Sequence, residues 1–137
     1  MPTIPWRSAT APDPDVQYVV MASRLPLRSY RTIPQFLALA ASVMRQLERT
    51  VGVVGYSLRA QPMSKTFWTL SAWTGETELG EFVRTMPHLA VMGRLRPHME
   101  ATRFITWTVP GRLLPIRWED AIEQLMGSTA TTRKAKP

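Results

Sequence analysis

The chain has 137 residues, 45% of them hydrophobic, which is the size and apolar content of one packed domain with short tails. Charged residues make up 20% and aromatics 9%, which excludes a wholly disordered chain, and the absence of cysteine removes disulfides, thiolate metal sites, thiolate haem ligation and cysteine nucleophiles together. The net charge of +7 comes from arginines scattered between Arg7 and Arg133, with one tight cluster at Arg133, Lys134 and Lys136, so it speaks for solubility or attraction of anionic ligands and not for nucleic acid.

Met1 to Asp15 is polar and rich in proline, with no apolar centre, so residues 1–16 read as a flexible arm and not as a signal peptide. No stretch approaches the roughly 20 apolar residues of a membrane span, and the expected location is the cytoplasm, with no membrane partner. The first strand is expected near Gln17 to Leu25, where Tyr18-Val19-Val20-Met21-Ala22 is apolar and Pro26 stops it. A helix follows. Thr32-Ile33-Pro34-Gln35 offers an N-cap hydroxyl, a first-turn proline and a capping-box Gln, and Phe36, Leu37, Ala40, Val43, Met44 and Leu47 recur at helical spacing up to about Arg49.

Val51 to Ala60 and Thr66 to Trp73 alternate like strands, and Gln61 to Lys65 fits a hairpin loop between them. A second helix begins near Thr74 to Thr77 with Glu76, Glu78 and Glu81 at its positive end. Pro87 interrupts it, so a kink and a second piece from Pro87 to Leu95 are expected. Ala101 to Val109 is the last strand, and a short helix from Trp118 to Met126 ends at Gly127. The order is that of a ferredoxin-like α+β fold, a split βαβ (βαββαβ) domain over residues 17–127 with a four-stranded antiparallel sheet and an extra C-terminal helix, followed by a disordered basic tail at 128–137. Both faces of the strands carry apolar side chains, so the face without helices is expected to be covered by a second copy, as a homodimer.

Several chemistries lack support. There is no G-x-G-x-x-G or phosphate-binding loop, and Arg59 stands where a nucleophile elbow around Ser57 wants glycine. His88 and His98 are ten residues apart, roughly 80° off a common helical face, and Pro97 intervenes, so a resident zinc or non-haem iron is not expected.

The informative segment is Phe67-Trp68-Thr69-Leu70-Ser71-Ala72-Trp73, then an acidic helix start, then Phe82-Val83-Arg84-Thr85-Met86-Pro87-His88-Leu89-Ala90-Val91-Met92. It resembles the dimeric α/β-barrel superfamily, which includes antibiotic-biosynthesis-type monooxygenases and haem-degrading enzymes, and within it looks most like the spheroidene-monooxygenase-like proteins and related uncharacterised domains. The likeness runs from about Gln17 to Val109. It implies a pocket between helices and sheet for an apolar or polycyclic small molecule, chemistry of the monooxygenase type without a cofactor, or alternatively a haem protein. In the haem-degrading branch an asparagine precedes an Arg-Leu pair, where this chain has Ser23 before Arg24-Leu25, and that branch's ligand position holds Met92 here, with His88 one turn earlier.

The candidate catalytic residues are accordingly His88, as proton acceptor or donor or as the iron ligand if haem is bound, and Ser23. Candidate substrate-binding residues are Trp68, Phe82 and Met92 as pocket walls, with Arg59 and Arg103 as partners for an anionic group. A non-oxidative cyclase or dehydratase and a non-catalytic ligand-binding dimer stay open beside the oxygenase.

Overall fold

The computed structural model describes residues 3–127 and 131–133. In chain order the elements are β1 (Thr3–Ser8), β2 (Gln17–Pro26), α1 (Ile33–Glu48), β3 (Val53–Gln61), β4 (Thr66–Trp73), α2 (Glu76–Arg84), α3 (His88–Leu95), β5 (Thr102–Pro110), α4 (Trp118–Met126) and β6 (Thr131–Arg133). They form one antiparallel sheet in the order β1-β3-β4-β2-β5-β6. The four inner strands carry the ferredoxin-like connection expected from the sequence.

The sheet is nonetheless six-stranded and not four-stranded, because a strand is added at each edge. Residues 3–8, expected within a flexible arm, pair with β3 as β1, and two side-chain contacts hold them there. Ser57 Oγ donates to the Ile4 carbonyl at 2.6 Å, and Arg7 lies 3.6 Å from the Glu48 carboxylate that accepts from the Tyr56 hydroxyl. Burial, foremost, raises the Tyr56 pKa above its ordinary value, so that hydroxyl stays a donor at neutral pH. Residues 131–133, expected in a disordered tail, pair with β5 as β6. The rest of that tail lies outside the described residues.

Local chemistry explains the inner elements with one correction. Thr32 does not cap α1: it is αR and makes no side-chain cap bond, while Ser29 caps a single 3-10 turn, Tyr30–Thr32, that leads into the helix. Lys65 takes a left-handed φ of 55° to close the β3–β4 loop, with its N–H donating to the Pro62 carbonyl. The break at Pro87 is complete, since Thr85 is extended and α3 starts afresh at His88. Gln46 of α1 clamps this junction: its Oε1 accepts from the His88 N–H at 2.9 Å and its Nε2 donates to the Phe82 and Thr85 carbonyls.

Strand parity sorts the core onto the two faces of the sheet. On the face toward α1, α2 and α3 lie two clusters, one of Val19, Leu47, Val53, Tyr56, Trp73, Leu79 and Phe82, the other of Leu27, Phe36, Phe67, Val91, Leu95 and Met99. On the opposite face Tyr18, Val20, Ala22, Val54, Trp68, Leu70, Ile105 and Val109 pack against Ala121 and Leu125 of α4. This face was expected to be bare in a single chain. The cover over it comes from α4, with Trp6, Trp107, Leu114 and Ile116 at its margins.

Candidate functional site

The two clusters on the helix side do not meet over the middle of the sheet. Met21 on β2 and Thr69 and Ser71 on β4, all on the two central strands, are half-buried where a sealed core would hide them. Cross-strand register lines up Leu58, Thr69, Ser23 and Phe104 in one row, and Tyr56, Ser71, Met21 and Thr106 in the next. The floor of this crevice is a hydroxyl seam. The Ser23 and Thr69 hydroxyls hydrogen-bond each other, and Ser71 Oγ accepts from Trp73 Nε1 at 2.9 Å. Ser23 is buried and uses this bond to satisfy its polar group.

Two helices roof the crevice. The middle of α1 (Leu39, Ala40, Val43, Met44) stays half-buried, with Val43 touching both clusters. Helix α3 spans the gap as well, since Val91 and Leu95 belong to one cluster while its first residue, His88, packs at a tilt against Phe82 of the other, ring centroids 5.0 Å apart. Phe82 in turn lies 5.1 Å from Trp73, so three rings run in series from β4 to His88. The arrangement follows from the sequence locally: Phe82 falls on the buried stripe of amphipathic α2 with Leu79, and the break at Pro87 brings His88 back over it.

His88 has a defined protonation state. Its Nδ1 lies 3.0 Å from the Val83 carbonyl, which only accepts, so Nδ1 carries the proton and the neutral ring presents Nε2 as a lone pair. Burial, the larger effect, lowers its pKa below 6.5 against the opposing pull of that carbonyl. The imidazole is therefore an unprotonated base at neutral pH. Met92, one turn on, is exposed on α3.

The seven residues singled out from the sequence do not converge. His88, Phe82 and Ser23 share the helix side, but four residues separate Thr69 from Trp73, roughly 13 Å of strand, so Ser23 and His88 bound different parts of the crevice. Trp68, Arg59 and Arg103 project from the other face, toward α4. Sequence reasoning passed over Gln46, Thr69 and Ser71. Thr69 and Ser71 share strand parity with Trp73, a signal that an alternation count could have used.

A haem held by His88 would need its propionates met by the arginines expected to partner an anionic group, Arg59 and Arg103. The imidazole tautomer suits an axial ligand, but Arg59 and Arg103 lie on the far side of the sheet, and no one ligand reaches all three. That residue set does not fit haem. Among the described residues no group of three or more His, Asp or Glu is placed to hold a metal ion. A concavity of about 570 Å³ opens between α1 and α2, beside Gln46 and Phe82, with Arg45 and Arg49 on one wall and Glu78 and Glu81 on the other. It is a solvated surface and not a dry chamber.

No family model matches the sequence, and no curated protein does either. Solved structures do match in fold. SnoaB, a cofactor-independent oxygenase from Streptomyces nogalater, is 17% identical, with 73% of this chain covering 99% of that one at a TM-score of 0.59. A structure named as an antibiotic biosynthesis monooxygenase is 11% identical, covering 65% of this chain and 95% of its own at 0.60. A conserved protein from Methanosarcina mazei Go1 is 13% identical, covering 67% and 92% at 0.61. The chain thus shares its fold with these structures, one of them named as an antibiotic biosynthesis monooxygenase, in line with its sequence resemblance. No helix is long and apolar enough to cross a membrane among the described residues.

Proposed function

We propose that this protein is a monooxygenase-type oxidoreductase that oxidises an apolar or polycyclic small molecule in the crevice between its helices and sheet, without a cofactor. The observation that carries this is His88, a neutral imidazole with its tautomer fixed by Val83 and Nε2 available as base, at one end of a crevice walled by apolar clusters. The likeness of fold to a cofactor-independent oxygenase supports it.

The substrate must be able to give up a proton and then an electron. His88 Nε2 takes a proton from an acidic CH₂ held next to a carbonyl-bearing ring system, and the apolar walls of the crevice raise the reducing power of the resulting carbanion. One electron passes from the carbanion to O₂, and the radical pair joins as a C–O bond. The peroxide regains the proton from His88 and loses water, leaving a new carbonyl: CH₂ and O₂ become C=O and H₂O. The Ser23–Thr69 and Ser71 hydroxyls orient polar edges of the substrate, and Phe82 completes its walls. In this reading the protein works in the cytoplasm as a homodimer, with Trp6, Trp107 and Trp118, still only partly buried beside α4, as contact residues for the second copy.

The test is oxygen uptake by metal-free protein over a panel of polycyclic ketones and phenols, with product mass. One O₂ consumed per carbonyl formed, and a rate at least 10²-fold lower in His88→Gln at unchanged fold, is expected. Product without oxygen uptake would replace the reading with non-oxidative catalysis, and saturable binding without any product would replace it with simple binding.

A further inference from the structure

On the face of the sheet away from His88, one transverse row reads Arg59, Trp68, Arg24 and Arg103 across β3, β4, β2 and β5. Arg59 and Arg24 both sit opposite Trp68, and Arg24 sits opposite Arg103. Adjacent strands are roughly 5 Å apart, so three guanidinium groups share about 15 Å of one face. All three are half-buried, and Trp68 between them is buried. Like charges directly opposed across a strand pair destabilise a sheet unless something neutralises them.

The described residues supply little neutralisation. Among the described residues the ion pairs are Arg7 with Glu48 and Arg117 with Glu119, neither of them in this row. Arg103 donates Nη2 to the Gly127 carbonyl and Nη1 to Met126 sulfur, at the negative end of α4. Arg24 lies over the Trp68 ring, 5.7 Å from its centroid, and Trp68 is itself held by Nε1 donating to Gln61 Oε1 at 3.0 Å. The Nε atoms of Arg59 and Arg103 are buried and have no hydrogen-bond partner. A buried donor on a cation without an acceptor costs more than a neutral one, and two in a single row of cations call for an acceptor carrying negative charge.

We propose that the Arg24–Arg59–Arg103 row is a binding site for a small oxyanion, a carboxylate or phosphate group, held between these guanidinium groups on the α4 face of the sheet. A planar or tetrahedral oxyanion offers several acceptors at once, and side-on approach to a guanidinium uses the Nε–H together with one Nη–H, the donors that Arg59 has left over. The site is separated from His88 by the sheet itself, so it stands apart from the oxygenase reading, and either one survives failure of the other.

The experiment measures melting temperature and calorimetric binding of the full chain with inorganic phosphate, and separately with 1-naphthoate, against chloride at matched ionic strength. Saturable binding of one or both anions is expected, and which arm saturates identifies the group. Arg59→Gln and Arg24→Gln should each weaken it at least tenfold, while Arg31→Gln, an exposed arginine outside the row, should leave it unchanged. In chloride alone Arg24→Gln should melt no lower than wild type, because a like-charge opposition has been removed. Should that variant fail to fold, Arg59→Lys, which keeps the charge and loses the fork, should still weaken binding. Equal shifts in chloride and in both anions, or the same anion affinity in the row variants and Arg31→Gln, would overturn the site. So would a melting temperature that rises with protein concentration and falls on anion addition, because the counter-charge would then come from a second copy.

Discussion

Burial against Phe82 disfavours the charged His88 ring and keeps it neutral against the opposing pull of the Val83 carbonyl, which fixes the neutral ring's proton on Nδ1. This burial has a pH signature whose sign follows from linkage. The folded-state pKa lies below 6.5, so just below pH 6.5 the unfolded chain takes up a proton at this position and the folded chain does not. Stability contributed by the neutral ring is fully present above that value and is lost as pH falls from about 6.5 toward the folded pKa. Denaturant midpoints should therefore drop between about pH 7.5 and pH 5.5, and drop less in His88→Gln. Histidine NMR shifts should place the His88 midpoint below 6.5; a midpoint at or above it would mean that the ring is solvated and would remove its claim to act as a neutral base. At this scale the sequence was informative about identity and uninformative about company. His88 stands out as one of two histidines, but its partners Gln46 and Val83 are an unremarkable helix amide and a backbone carbonyl, which acquire their roles only when α1 and the α2–α3 break come together.

Elements whose order is written in local chemistry were legible. Alternation and β-branched residues placed β4 at Thr66–Trp73, the residues the structure gives, and the acidic start and the proline break placed α2 and α3 within a residue or two. The edge strands were not legible, since β1 contains Pro5 and β6 is short and polar, and both exist through pairing with distant partners. A contact made by β1 shows how firmly such a strand is specified once docked. A Cβ built on Gly55 would overlap the indole of Trp6, which packs across it. Gly55 lies beside the irregularity in β3 register, where a bulge demands close backbone approach. Gly55→Ala should cost about 1–3 kcal/mol in urea unfolding by overpacking. Adding Trp6→Ala should recover part of that loss, because the clash goes with the ring, and the two changes should be non-additive in this direction. Additive losses would show that β1 does not rest on Gly55.

At the scale of the whole molecule the sequence showed that both faces of the sheet are apolar, and it could not show what covers the second one. Alternation along a strand reports that a face is buried and is blind to whether the cover is the same chain or another. The arginine row shares that blindness, because Arg24, Arg59 and Arg103 align only once three strand registers and the β3 irregularity are set. The structure assigns much of the cover to α4, with Ala121 fully buried and Leu125 1% exposed. The molecule then has hydrophobic cores on opposite sides of one sheet, and this geometry is testable by energetics. Leu125→Ala removes three carbons from a site with no solvent, so it should cost about 2–5 kcal/mol. Leu47→Val, in the cluster beneath α1, should destabilise by a smaller amount. Since the sheet lies between them and they share no cluster, the double variant should lose the sum to within about 0.5 kcal/mol. A coupling well beyond that would mean that strain passes through the sheet and that the two faces form one cooperative core. Leu125→Ala should also raise association at high protein concentration, because loosening α4 re-exposes the strand face that a second chain would cover, and light scattering at matched folded fraction reads this directly.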